Sequence, residues 1–150
     1  MTEGARQVLQ DCRHARSQLV DGLMGRDWRL RWITAVILLR SVGYVLKKVD
    51  AKRSPKLRGV VDEMWERSNN SKPEPEILWE FIERDRDLIL KEYEVRAGQG
   101  VVLTPGEPTK FLYTMKSGAF AGHDQRDVID RAIAWWEAYL DEVDRKAGTP

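Results

Sequence analysis

The sequence predicts a mainly α-helical fold, a bundle of five helices with one small β-hairpin before the last helix. Three observations carry that expectation. Apolar residues recur at three- and four-residue steps in five separate segments. Ser54-Pro55 and Pro73-Glu74-Pro75-Glu76 are helix-opening signals ahead of two of these segments. The period changes only once, after Gly98, where two short β-prone runs flank a turn-rich tetrapeptide.

The first helix is expected from about Thr2 to Leu23, with Val8, Cys12, Ala15, Leu19 and Leu23 on its buried face. Gly22 and Gly25 end it. The second should run from about Asp27 to Lys48. Its stretch Trp32 to Leu46 is apolar nearly all round, which places it at the centre of the bundle. Arg40 lies within that stretch and is expected to be buried. Ser54 as N-cap and Pro55 as first residue open the third helix, predicted to Arg67 and followed by the polar loop Ser68 to Lys72. The fourth should run from about Pro75 to Tyr93, its early glutamates suiting the positive end of the helix dipole. Gly98 and Gly100 are read as helix breakers. Val101 to Thr104 and Phe111 to Met115 then form the hairpin, joined through Pro105-Gly106-Glu107-Pro108. Asp124 is the expected N-cap of a last helix from Gln125 to about Lys146, with Ile129, Ala132, Ile133, Trp136, Leu140 and Val143 inward.

A length of 150 residues suits a single domain. Basic and acidic residues number 25 and 24, so no bulk field favours nucleic acid, and a polyanion site would need a local patch. One cysteine, Cys12, excludes an internal disulfide and is expected to be a small buried hydrophobe. The most apolar run, Trp32 to Leu39, is far shorter than the roughly 20 residues that span a bilayer. With no leader-like N-terminus, the expected location is cytoplasmic, with no membrane partner. No spacing of His, Cys, Asp and Glu suggests a metal, and no motif suggests a cofactor.

The stretch Arg84 to Tyr93 carries the most chemical information. On a wheel of about 100° per residue, Ile77, Leu78, Phe81, Leu88 and Ile89 form one face of the fourth helix. Asp85 projects into the middle of that face. Glu80, Glu83, Arg84, Asp87 and Lys91 fall on the solvated side, and Arg86 lies at the boundary. A charge on a core-facing stripe is costly unless paired, so Asp85 is expected to pair with Arg40 of the second helix. Asp87 and Lys91 are four apart, with the acid N-terminal to the base, and can pair. On physical grounds alone the stretch reads as a salt-bridged outer face plus one internal ion pair.

The order Arg86-Asp87, three residues, then Lys91, late on the fourth helix, resembles the motif of the HEPN superfamily of small helical-bundle domains. In that family an arginine is followed by a polar residue and, usually after three more, a histidine. Its domains typically dimerise so that two motifs face one cleft, and active members cleave RNA without metal. The resemblance implies that Arg86 is the family arginine and Asp87 the polar position. Lys91 stands where histidine is expected. Histidine can both take and give a proton near neutral pH, whereas an ordinary lysine, with a pKa near 10.4, stays protonated. The resemblance therefore implies a dimeric binding or interaction domain contacting RNA or a nucleotide, more than it implies catalysis. Two alternatives stand beside it. One is a metal-free toxin-type ribonuclease using Arg86 and Asp87 with an atypical Lys91 or His123. The other is a structural helper without ligand.

Other candidates are few. His14 lies off the apolar face of the first helix. His123 precedes the last helix and is the histidine placed to enter a cleft. Lys47, Lys48, Lys52, Arg53 and Lys56, with Arg58, surround a helix–helix turn and form the local basic patch, read either as a solvated turn or as a polyanion contact. Of six tryptophans, Trp32, Trp65 and Trp136 are expected in the core, and Trp28, Trp79 and Trp135 at stripe edges.

Overall fold

The computed structural model describes residues 1–148. Helix α1 spans Glu3–Ser17 and α2 spans Gly25–Lys48. A single 3-10 turn, Asp50–Arg53, leads into α3, Pro55–Asn70. A π-helical segment, Ile77–Glu83, runs directly into α4, Arg84–Glu92. Strands β1, Ala97–Val102, and β2, Lys110–Met115, form an antiparallel hairpin before α5, Gln125–Gly148. Five helices and one hairpin thus appear in the expected order.

The all-round apolarity of α2 has the consequence its pattern requires. Trp28, Trp32, Ala35, Val36, Leu39, Val42 and Leu46 are all buried, and α2 touches every other helix and β1. α1 and α5 lie antiparallel beside it. Their outer edges are joined by Arg6 to Asp141 and Asp144, Arg13 to Glu137, and Arg16 to Asp130, all within 2.9 Å. These pairs are largely solvated, so each contributes little to stability, but together they fix which edges meet.

Element ends depart from the sequence expectation where tertiary contacts satisfy the backbone. α1 stops at Ser17 rather than near Leu23. Beyond it Arg31 donates to the Gln18 carbonyl, and the Tyr113 hydroxyl accepts from Gly22 N–H and donates to the Leu23 carbonyl. Leu19 stays buried as a turn residue. At the other end, the fully buried Asp50 carboxylate accepts from the N–H groups of Gly4 and Ala5, at 3.0 and 2.8 Å. It satisfies two of the orphan donors of α1 and suits the positive pole of that helix. A side chain on Gly4 would begin 2.7 Å from that carboxylate, so glycine admits the contact.

α3 continues three residues past Arg67, into the stretch expected to be loop. Ser68 bonds back to the Met64 carbonyl, and Ser71 to that of Arg67. The Ser54 cap is present, its hydroxyl accepting from Leu57 N–H at 3.0 Å. Asp124 likewise caps α5, accepting from Arg126 N–H at 2.8 Å.

The fourth helix does not end at glycine. It ends at Tyr93, which takes the left-handed conformation (φ 50°) while Glu94 N–H reaches the Leu88 carbonyl. Gly98 and Gly100 are strand residues, and β1 begins four residues before its expected start. A side chain at Gly98 would meet Lys116 at 2.9 Å and the Thr114 carbonyl at 3.3 Å. The hairpin is anchored by buried Gln125, which accepts from Trp28 Nε1 at 2.7 Å and donates to the carbonyls of Thr114 and Gly98. Trp28 also stacks on Tyr113 with ring centroids 3.6 Å apart. It is therefore core, not a stripe edge, while Trp65 is only half-buried and packs against Trp79 at the surface.

No helix among the described residues is long and apolar enough to cross a membrane.

Candidate functional site

Two buried charges on the α2–α4 side were expected to pair with each other. Both are buried, Arg40 at 8% exposure and Asp85 at 2%, but each has another partner. Arg40 Nε lies 2.6 Å from Glu83, a residue expected on the solvated face. Asp85 is held by Arg96, which also donates to the Glu80 carbonyl at 2.9 Å. The π segment explains part of the difference. Its i→i+5 closure adds about one residue per turn, so an ideal α wheel misplaces the residues beyond it. The left-handed Tyr93 explains the rest, because it turns the chain back so that Arg96 returns over α4. Burial pushes the Asp85 carboxyl above its ordinary range, outweighing the pull of Arg96.

Glu83, held on Arg40, leads into the family-like motif. Arg86 is about one-fifth exposed, and its Nη1 lies 2.5 Å from Asp87 Oδ1. Its other terminal nitrogen donates to the Tyr44 hydroxyl. Partial burial works against the Arg86 charge, but the Asp87 hydrogen bond and the nearby Tyr44 and Glu83 outweigh it, so the proton is held more tightly than usual. Lys91 lies 3.9 Å from Asp87 with 74% of its side chain exposed, the solvated (i, i+4) pair that the spacing predicts.

Tyr44 is the residue that the sequence reading did not single out. Its ring lies under two guanidinium groups, that of Arg40 at 3.8 Å and that of Arg86 at 5.2 Å. Arg40 also faces the Trp65 ring at 5.5 Å. Stacking of this kind, four residues apart on one helix, was legible as the pair Arg40 and Tyr44. Beside Tyr44 opens a pocket of ≈ 210 Å³ between α2, α3 and α5, with Lys47 and Lys48 among its lining residues.

The structure thus brings two sequence candidates together and leaves others apart. Arg86, paired with Asp87, bonds to Tyr44, and Tyr44 lines the same pocket as Lys47 and Lys48. Lys52, Arg53 and Lys56 lie around the next turn, where Arg53 is engaged with Glu3 and 3.8 Å from Asp50. The basic patch therefore divides. His123 is exposed and packs on Phe120, with its backbone tied to Met115 and Phe120. Arg86 spends its hydrogen bonds on Asp87 and Tyr44, so the chain does not join this histidine to the motif. His14 is exposed on α1, and Cys12 is buried, its thiol pushed up to about 12 by desolvation. Among the described residues, no three His, Cys, Asp or Glu side chains are grouped to hold a metal.

Chemically, the site offers fixed cations, an aromatic face and an apolar hollow. Compared with protein-family models, curated proteins and solved structures, the chain matches none.

Proposed function

We propose that this protein is a HEPN-like binding module, acting as a homodimer, that contacts single-stranded RNA through the α2–α4 face. The observation that carries the reading is Tyr44, whose ring packs against the Arg40 and Arg86 guanidinium groups and which lines one pocket with Lys47 and Lys48. An aromatic flanked by cations is the arrangement that single-stranded nucleic acid uses, bases stacking while phosphates meet charge. Two observations support binding over cleavage: Lys91 is 74% exposed beside Asp87, and His123 packs on Phe120 instead of joining the motif. The dimer rests on the family resemblance and on Leu90 and Tyr93, which stand 62% and 60% exposed at the end of the motif helix.

Fluorescence anisotropy with a labelled RNA 12-mer at several salt concentrations tests the reading. Lys47 and Lys48 on phosphate give a log–log salt slope of about −1.4. Replacing both by glutamine should bring the slope close to zero. Absence of binding at low salt refutes the proposal.

A further inference from the structure

We propose that the pocket beside Tyr44 receives one nucleobase of pyrimidine size, with its adjoining phosphate held by Lys47 and Lys48. The inference rests on the nucleic-acid reading and deepens it, naming what the site recognises.

Size is the first argument. An apolar cavity of about 150 Å³ is known to admit benzene. The pocket here measures ≈ 210 Å³. That leaves room for a single six-membered ring bearing ring carbonyls.

The walls supply the second argument. Tyr44, Trp65, Trp136 and Tyr139 are aromatic, which suits a planar guest.

An unsatisfied donor supplies the third. Trp136 Nε1 is buried without a hydrogen-bond partner, and Trp136 lines this pocket. Buried donors left unpaired are costly, and they concentrate where a ligand or ordered water brings acceptors. A pyrimidine carries carbonyl acceptors on its ring edge.

Charge is the fourth. The charged residues lining the pocket are Arg40, Lys47 and Lys48, all cations. A neutral aromatic guest would not need them, whereas a base joined to a phosphate does.

The same chemistry is offered by a free nucleotide and by an RNA chain, and the test separates them. Three probes are compared on the full chain: a uridine 12-mer, a 12-mer phosphate–ribose chain lacking bases, and uridine 5′-monophosphate. Anisotropy reads the chains, and intrinsic tryptophan fluorescence reads the mononucleotide. The uridine chain is expected to bind about tenfold more tightly than the base-free chain, within the range that stacking of one base supplies. Trp65→Ala should bring the two chains within about twofold of each other. Trp65→Leu, which keeps apolar bulk at this half-buried position while removing the aromatic face, should act in the same direction and serves where Trp65→Ala fails to fold. Saturable quenching by the mononucleotide identifies a free nucleotide as sufficient, and quenching confined to the chain identifies RNA. Equal affinity for the uridine and base-free chains overturns the pocket proposal while leaving the surface reading intact. Failure of both chains to bind overturns both.

Discussion

Removal of the Asp85 carboxylate leaves Arg96 with one-tenth of its side chain exposed and no counter-charge. Breaking a buried pair from one side costs about 3–5 kcal/mol, because the surviving charge stays desolvated. Arg96 retains the Glu80 carbonyl as an acceptor, so Asp85→Ala should fall at the lower end, about 3 kcal/mol. Urea unfolding followed by tryptophan fluorescence reads this directly. With a slope of ~2 kcal/mol/M, the midpoint should drop by about 1.5 M. The double variant Asp85→Leu with Arg96→Met removes both charges and should recover most of the loss, since replacing a buried pair by apolar residues is often neutral or stabilising. A shift under about 1 kcal/mol for the single variant would refute the assignment. So would a double variant no more stable than the sum of the two singles, which would mean the two charges are not coupled. The pH dependence has a defined sign. Burial raises the folded-state Asp85 pKa above its ordinary value of 3.8. The folded state therefore binds this proton more readily than the unfolded state, and the group's contribution is fully present below 3.8 and lost as pH rises through the folded value. The stability gap between wild type and Asp85→Ala should accordingly widen as pH falls from neutral toward 3.8, and a gap that narrows contradicts the raised pKa.

Cleavage of single-stranded RNA by the wild type, with chelator present, should be weak or absent. Lys91→His should not lower it, and strong wild-type cleavage lost in Arg86→Ala would reverse the choice between binding module and ribonuclease. Sedimentation at micromolar concentration should give about twice the 17.4 kDa chain mass. Leu90→Asp with Tyr93→Asp should return the chain mass alone, and a wild-type monomer would remove the shared-cleft arrangement. Cys12 should resist a thiol reagent at pH 8 until the chain is unfolded, because its thiol is buried and pushed up to about 12; immediate labelling of the folded protein would contradict that burial.

The order and type of the elements, and much of what α2 and α5 bury, were legible in the sequence. All-round apolarity placed α2 at the centre, periodicity named the core face of α5, and the caps Ser54 and Asp124 act where their side chains predicted. It also showed that Arg40 and Asp85 are buried, because a charge interrupting an apolar stripe has nowhere else to go. Periodicity is a property of one helix, however, and a partner belongs to two. Glu83 and Arg96 were therefore invisible: one was placed by the wider turns of the π segment, the other by a non-glycine residue in the left-handed region, which no local pattern announces. The same limit applies to the candidate site. Arg86, Asp87, Lys47 and Lys48 were legible as charges, but Tyr44 joins them only because α2 and α4 are packed side by side. The early end of α1 was likewise decided at a distance, by Tyr113, and its N-terminus by Asp50. Backbone groups take the best partner that the folded chain offers, and for those residues the partner lies far away in sequence.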